Sequence, residues 1–272
     1  MKYPLEIVRS SKIIYIPRKY YNREENPITF KDKPHYFKDM VELDKYLNEL
    51  LGSLLAKNFD LQTINYSLAC IELEDDTIYG LLSPSFFKNK KYVMVDKILG
   101  TSRVPKDLSY LDKFTPYFKR KTDLERFILE LLKMAVLDFY MNQIDRVKEN
   151  FYIIENKSSL ALGPLYDYSE SFNSIHNDAR YDYAFNYPIN NNSSSYTYGN
   201  AIMKLKFPSE DLYMLFNKYP MFKTYFERIL DINMDELLNT IRKKYDIEIP
   251  NYLEKHYIDY DKEKKEFVKS LL

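Results

Sequence analysis

Two aspartates and one asparagine in the middle of the chain have the types and spacing of residues that could share one chemical site. Asp145 and Asn150 lie in the polar segment NQIDRVKENF, and Asp167 ends the segment LGPLYD. Their oxygen atoms suit Mg²⁺, which takes one or two carboxylates together with substrate phosphates. Phosphoryl transfer asks for an aspartate near the attacking hydroxyl group, and for asparagine and aspartate oxygens on the metal ions. The alternative is that all three residues cap loops and turns, where aspartate and asparagine are common.

The elements predicted around these residues explain how they could meet. Apolar residues recur at helical spacing over 122–141, which predicts a buried helix before the first polar segment. Short apolar runs at 151–154 and 160–162 predict a strand hairpin after it. Because a hairpin returns the chain to the same end of a sheet, the sequence predicts that the two carboxylates and the carboxamide converge at its mouth.

The first part of the chain combines short strands with one helix. Leucines recur at intervals of three and four residues over 42–57, which predicts an amphipathic helix. Apolar and β-branched runs predict strands, and a hairpin-like turn joins the last two. These strands are predicted at 12–16, 27–31, 65–72 and 77–82.

The break Ser83-Pro84-Ser85 follows the last of these strands and marks a boundary between two lobes. Residues 1–84 are expected to form a small lobe of mixed sheet plus helix, and residues 85–272 a mainly helical lobe. The fold class is therefore α+β. Further helices of the second lobe are predicted near 209–218, 221–230, 234–245 and 252–271.

Composition excludes several classes of function. The 40 Lys+Arg residues balance the 40 Asp+Glu residues, which argues against a broad nucleic-acid-binding face or a polybasic membrane anchor. A single cysteine excludes a disulfide framework and a cysteine-based zinc site, and the five glycines lack the spacing of a Gly-x-Gly-x-x-Gly or Walker loop. No apolar run approaches the roughly 18 residues of a membrane span, and the first residues do not read as a secretory signal. A cytoplasmic location is expected, or delivery to a host cell without a classical signal peptide.

The pattern Asp-Arg-x-x-x-Asn-Phe, a hairpin and then Pro-apolar-Tyr-Asp resembles the catalytic and metal-binding segments of HipA-type serine/threonine kinases, closest to the small CtkA-like branch. The similarity extends to the helix predicted at 122–141, to the helical tail and, more weakly, to residues 31–82. The resemblance implies a two-lobed protein-kinase-like fold, ATP and Mg²⁺ as cofactors, and a protein substrate with a serine or threonine acceptor. A regulatory or antitoxin partner would be a separate chain, and this chain carries no DNA-binding module.

The resemblance also implies a role for each matched residue. Asp145 would be the catalytic base that orients the substrate hydroxyl group or accepts its proton. Asn150 and Asp167 would hold the Mg²⁺ ions that bridge the ATP phosphates. Val147 stands where the family usually has histidine, which removes a hydrogen bond that orders the catalytic loop.

A lysine–glutamate pair is implied in the first lobe. Glu49 on the predicted helix would pair with a strand lysine that contacts the α- and β-phosphates, although a solvated helix face is the alternative for this glutamate. Lys31 is the candidate because it ends a short strand 18 residues before Glu49, about the separation that the family shows. Lys33 and Lys12 are its rivals, and an ordinary surface lysine is the alternative for Lys31.

Two further parts of a nucleotide site follow from the resemblance. Ser10 and Ser11 occupy the place of the family's nucleotide loop, which here has no glycine, and one of them is a candidate autophosphorylation switch; exposed serines at a strand start are the alternative. The residues from Leu81 through Leu82 to Ser83 would form the interlobe hinge whose backbone binds adenine.

Three functions remain open at this stage. An active ATP- and Mg²⁺-dependent protein kinase agrees with the complete set of Asp145, Asn150 and Asp167. A nucleotide-binding pseudokinase that acts as a regulatory module agrees with the missing glycines and with Val147. A small-molecule kinase of the same fold is the third.

Overall fold

The computed structural model of the chain describes a series of segments. These are residues 6–9, 28–30, 33–39, 42–72, 77–86, 91–93, 98, 108–143, 152–156, 159–172, 194–195, 206–207 and 216–272. Among the residues in these segments, no helix is both long and apolar enough to cross a membrane.

A five-stranded sheet is built from the first part of the chain. Its strands are β1 (Glu6–Arg9), β2 (Ile28–Phe30), β3 (Lys33–Asp39), β4 (Ser67–Glu72) and β5 (Thr77–Pro84). Their order in the sheet is β1-β4-β5-β3-β2, with β1 parallel to β4 and the other neighbours antiparallel. The central strand β5 is therefore hydrogen-bonded to β3 on one side and to β4 on the other.

Helix α1 (Leu43–Asn58) follows β3 directly and is buried on several sides. The leucines that predicted an amphipathic helix are inside, and Leu47, Leu51 and Leu55 are fully buried. Polar residues outside this leucine stripe are buried as well, among them Glu49. The helix thus lies between the leucine-lined core and a second set of neighbours, and its polar side does not face solvent.

Helix α2 (Lys121–Met141) is the central helix of the second part of the chain, and a 3-10 helix (Leu108–Tyr117) precedes it. It packs against a three-stranded antiparallel sheet in the order β6-β7-β8. The strands of this sheet are β6 (Lys91–Val93), β7 (Ile153–Asn156) and β8 (Ser159–Leu162), and a short antiparallel pair follows as β9 (Ser194–Ser195) and β10 (Lys206–Phe207).

Three helices form the C-terminal part: α3 (Pro220–Leu230), α4 (Met234–Tyr245) and α5 (Asn251–Leu271). The side chain of Asn233 caps α4, because its Oδ1 accepts a hydrogen bond of 3.1 Å from the backbone of Glu236. Helix α5 packs on α3 and α4, and α4 contacts α1. Residues from α1 through α5 share one apolar core.

Most of the predicted elements are present. The predicted helix at 42–57, the hairpin at 65–82 and the hairpin that follows α2 correspond to α1, to β4 with β5, and to β7 with β8. The predicted strand at 12–16 lies outside the described residues, as does most of the predicted helix at 209–218. Strand β3 was not predicted. The sheet ends at Pro84, and the division into lobes at this residue stays a prediction.

Candidate active site

A buried lysine lies between two buried carboxylates that come from distant parts of the chain. The Lys38 Nζ donates hydrogen bonds to Glu49 Oε1 and to Asp167 Oδ1, and a third, of 3.2 Å, to Ser169 Oγ. Exposed fractions are 9% for Lys38, 0% for Glu49 and 6% for Asp167. Burial of charged groups is costly unless they are paired, so this arrangement depends on all three side chains.

Strand β3 positions Lys38. Its backbone pairs with Leu81 of the central strand β5, which fixes the position of the lysine on the sheet. Helix α1 begins only four residues after β3 ends, which brings the helix back across the lysine. The strand and the helix together therefore place an ammonium group beside the Glu49 carboxylate.

Glu49 has a second fixed partner. The Tyr66 hydroxyl group donates a hydrogen bond of 2.8 Å to Glu49 Oε2, while Lys38 occupies Oε1. Tyr66 is itself held by Tyr245 of α4, whose hydroxyl group donates to the Tyr66 carbonyl oxygen at 3.1 Å. Both oxygens of the carboxylate are thus engaged, which fixes its orientation toward the lysine.

The segment that carries Asp167 is tied down at several points. Asp167 has a positive φ of 61°, a left-handed conformation that aspartate tolerates better than most residues. Gln143, at the end of α2, donates a hydrogen bond of 2.6 Å to the Asp167 carbonyl oxygen. Two residues earlier, Leu165 forms a parallel bridge with Thr63. These contacts place the carboxylate just beyond the hairpin of β7 and β8.

A glycine in α1 allows the residue after Asp167 to pack closely. A Cβ atom at Gly52 would lie 2.2 Å from the Tyr168 ring, a distance that real Cβ atoms do not show. Tyr168 is fully buried, and its hydroxyl group lies 3.0 Å from Thr63 Oγ1. Glycine in the interior of a helix is unfavourable by about 1 kcal/mol relative to alanine, and here the close packing of Tyr168 accounts for its presence.

Among the described residues no group of three or more His, Cys, Asp or Glu side chains could hold a metal ion, so Asp167 would supply one carboxylate of a site completed by other ligands. One lysine and two carboxylates sum to a formal charge of −1 (+1 and −2) among these three side chains. A carboxylate at a hairpin mouth, with excess negative charge around it, suits a hard cation such as Mg²⁺. Asp167 therefore fits the metal-ligand role that the resemblance implies for it.

The structure gives Glu49 a different lysine from the predicted one. Lys38 forms the pair, Lys33 of the same strand is exposed, and Lys31 and Lys12 lie outside the described residues. The strand predicted at 27–31 is present as β2, but the lysine that pairs with Glu49 lies on the next strand, β3, which was not predicted. Strand β3 contains Pro34, which the sequence pattern counts against a strand.

The predicted hinge residues lie at the end of β5. Leu81 and Leu82 pair with both β3 and β4, so the sheet uses their backbone groups. Ser83 is buried and pairs with Tyr36 of β3. Adenine binding by the backbone of these residues stays a prediction.

Four other predicted site residues lie outside the described residues. These are Ser10, Ser11, Asp145 and Asn150. Their roles stay predictions. One weak signal in the sequence points to the strand of Lys38: the lysine follows the aromatic pair of Tyr36 and Phe37, which is typical of a buried strand.

No protein-family model matches the chain, and no curated protein matches its sequence. Solved structures match the chain in fold. The crystal structure of the Helicobacter pylori proinflammatory kinase CtkA aligns with a TM-score of 0.61 and 12% identity, over 90% of this chain and 91% of that one.

A second match is the Shewanella oneidensis MR-1 toxin–antitoxin system HipA, solved in complex with HipB and operator DNA. It aligns with a TM-score of 0.58 and 11% identity, over 87% of this chain and 58% of that one. The α+β fold class is confirmed, and so is the resemblance at the level of structure. The chain has a HipA/CtkA-like, kinase-type fold.

Proposed function

We propose that this chain is an ATP- and Mg²⁺-dependent kinase that transfers the γ-phosphate to a serine or threonine of a protein, itself included. The observation that supports this most strongly is Lys38, held between Glu49 and Asp167 in a chain with a kinase-type fold. In protein kinases, a strand lysine paired with a helix glutamate and an aspartate that binds Mg²⁺ must both be in place for phosphoryl transfer.

Each residue would have a separate task. Lys38 would contact the α- and β-phosphates, and Glu49, fixed by Tyr66, would hold the lysine in place. Asp167, with Asn150, would hold Mg²⁺, which would neutralise phosphate charge when bound. The Lys38–Asp167 contact would give way as nucleotide and metal bind between the two side chains.

The transfer step would begin at the acceptor hydroxyl group. Its oxygen attacks the γ-phosphorus, the bond from that phosphorus to the β–γ bridging oxygen breaks, and ADP leaves. Asp145 orients the hydroxyl group and accepts its proton. Catalysis here depends mainly on positioning and on charge stabilisation, to which Lys38, still paired with Glu49, would contribute.

A pseudokinase that binds nucleotide without transferring phosphate is the second candidate, and the glycine-free stretch around Ser10 and Ser11 favours it. A small-molecule kinase would share the same site. A separate regulatory or antitoxin partner is proposed by analogy with HipA, which was solved together with HipB; no nucleic-acid contact by this chain is proposed.

Label transfer from γ-labelled ATP tests the proposal. Purified protein with Mg²⁺ is compared with Asp145→Ala and Asp167→Ala, and with Asp235→Ala, an exposed aspartate in the first turn of α4, as the matched control. Label on the wild type and on the control alone supports a kinase. Absence of label, with ATP still raising the melting temperature, supports the pseudokinase. If label and thermal shift are both absent, the nucleotide proposal is wrong.

A further inference from the structure

The residue next to Glu49 connects α1 to two other parts of the molecule. The Asn48 Nδ2 donates hydrogen bonds of 2.9 Å to the carbonyl oxygens of both Ser169 and Ser171. On the other side of the carboxamide, Asn48 Oδ1 accepts a hydrogen bond of 2.8 Å from the Tyr257 hydroxyl group. Two carbonyl acceptors on one side and a hydroxyl donor on the other fit only one orientation of the carboxamide.

Tyr257 belongs to α5 and is enclosed where three parts of the chain meet. It is 1% exposed, and its ring packs edge-on against Phe172 with centroids 5.4 Å apart. Burial, together with the nearby Asp44 carboxylate, raises the pKa of the Tyr257 hydroxyl group well above its usual value, so the group keeps its proton. Its proton can be donated to Asn48 Oδ1 at 2.8 Å, the nearer of two acceptors, the other being the Asp44 carbonyl oxygen at 3.3 Å.

The far end of the Asp167 segment is held at the same place. The Phe172 backbone amide donates a hydrogen bond of 2.6 Å to the Met141 carbonyl oxygen at the end of α2. The His256 Nε2 atom, on α5, lies 2.8 Å from the Phe172 carbonyl oxygen. The segment 167–172 thus starts at the proposed metal ligand and ends against α5, with Asn48 bonded to its middle.

We propose that Asn48 and Tyr257 are positioning residues that couple the C-terminal helix to the proposed phosphate site. Their contacts hold α1 and the segment 167–172 together in the arrangement in which Lys38 bridges Glu49 and Asp167. This inference rests on the proposed kinase function. It assigns to α5 the task of keeping α1 and the segment 167–172 in place. Neither residue contacts the reacting groups.

Loss of this link is expected to lower kcat more than nucleotide affinity. Lys38, Glu49 and Asp167 act on the phosphates and the metal, so misalignment affects the transfer step, while the rest of the nucleotide keeps its contacts. Tyr257→Phe keeps the ring and removes the donor, and a loss of about tenfold in kcat is expected, the effect of one buried hydrogen bond. Asn48→Asp sets a carboxylate oxygen against two carbonyl oxygens, and a larger loss is expected.

Tyr260→Phe is the matched control. Tyr260 is one turn further along α5 and 4% exposed, and its hydroxyl group donates a hydrogen bond of 2.7 Å to the Tyr140 carbonyl oxygen. The Tyr260→Phe variant therefore removes an equally buried hydroxyl group that does not contact Asn48. If α5 only stabilises the fold, both tyrosine variants should lower the melting temperature alike and leave kcat per folded molecule unchanged.

The test measures kcat and KM for ATP in labelled phosphate transfer, and amide hydrogen exchange of residues 167–172, for all four proteins. The proposal predicts a selective loss of kcat, KM within about threefold of wild type and faster exchange, in Tyr257→Phe and Asn48→Asp but not in Tyr260→Phe. Equal kcat and equal exchange in the two tyrosine variants would overturn it. A wild type without transfer overturns the kinase proposal instead, and the exchange comparison then decides the coupling alone.

Discussion

Two clusters of buried charged side chains in this molecule differ in how they are assembled. The first, the site cluster, contains Lys38, Glu49 and Asp167. These residues come from a strand, a helix and a loop, and the lysine lies 129 residues before the aspartate. The second, the tail cluster, is centred on α5, where Asp261 accepts hydrogen bonds of 2.7 Å from Tyr140 and 2.8 Å from Lys265.

The two clusters also differ in the sequence separation and in the charge of their members. In the tail cluster, the carboxylate and its lysine are one helical turn apart, and the tyrosine ties α5 to α2. In the site cluster, one lysine is shared by two carboxylates, next to the loop where the phosphates would lie. Burial is common to both, so it does not discriminate between them. The two clusters differ in charge, because one lysine serves two carboxylates in the first and one carboxylate in the second.

The largest expected effect separates the two clusters directly. Asp167→Asn should reduce Mg²⁺-dependent phosphate transfer by about a thousandfold, because it removes the charge of a proposed metal ligand. Asp261→Asn should leave transfer within about twofold and lower the free energy of unfolding by about 1–3 kcal/mol. Transfer rates and urea unfolding of both variants measure this, and a catalytic loss in Asp261→Asn that matches the one in Asp167→Asn would refute the distinction.

Glu49→Gln tests the Lys38–Glu49 ion pair within the site cluster. The amide keeps an oxygen for the Tyr66 hydroxyl group but removes one of the two carboxylates that hold Lys38. A loss of about 10- to 100-fold in transfer is expected, the usual range for a residue that positions a ligand of the reacting group. Tyr66→Phe is the milder companion variant. Wild-type transfer rates in Glu49→Gln would show that the lysine needs no such partner.

Gly52→Ala probes the packing between α1 and the Asp167 segment. The added methyl group would overlap the buried Tyr168 ring, so the helix or the segment must move. A net destabilisation of about 1–3 kcal/mol is expected despite the better helix propensity of alanine. A severalfold loss of transfer should accompany it. Ser53→Ala, at the next buried position, removes an atom and serves as the control. An increase in stability in Gly52→Ala would contradict the close packing.

The smallest effect concerns Lys264, a buried neighbour of Lys265 on α5, and depends on pH. Burial lowers the pKa of Lys264 from its ordinary 10.5 to about 7, while its Nζ donates a hydrogen bond of 3.1 Å to the Phe139 carbonyl oxygen. Between pH 7 and 10.5 the unfolded chain binds the proton and the folded chain does not, so this group makes stability rise with pH. Below pH 7 the cost of burying the charge is fully present.

Replacement of Lys264 by methionine removes that cost. Lys264→Met should be more stable than the wild type at pH 6, and the advantage should shrink steadily as the pH is raised from 7 to 9. Urea unfolding at three pH values measures the difference. An advantage that is constant across this range would show that the lysine is not neutralised in the folded protein. Phosphate transfer by Lys264→Met should equal that of the wild type.

The sequence predicted the elements better than their contacts. The leucine spacing identified α1 to within one residue at each end, and the apolar runs identified the hairpins. Glu49 was selected correctly as one half of an ion pair, although the helical spacing put it opposite the leucines, on the side where a solvated residue is expected. The sheet that covers this side is a tertiary feature and leaves no trace in the periodicity of the helix.

The failure to predict Lys38 has the same cause. Pro34 near the start of β3 counts against a strand, so no strand was predicted there despite the two aromatic residues before Lys38. Its importance arises only from the pairing of β3 with β5 and from the contact with Asp167, which is far away in the sequence. Local rules find residues of the right type, but only the folded chain decides which lysine reaches the carboxylates.

The central claim is that Lys38 is the lysine of a phosphate-transfer site. It is tested most directly by single-turnover transfer from γ-labelled ATP in Lys38→Met, Lys31→Met and Lys33→Met, with folding checked by circular dichroism. A loss of about a hundredfold or more is expected in Lys38→Met alone, with the other two variants within about threefold of wild type. Wild-type transfer in Lys38→Met, or loss of transfer in Lys31→Met instead, would contradict the claim.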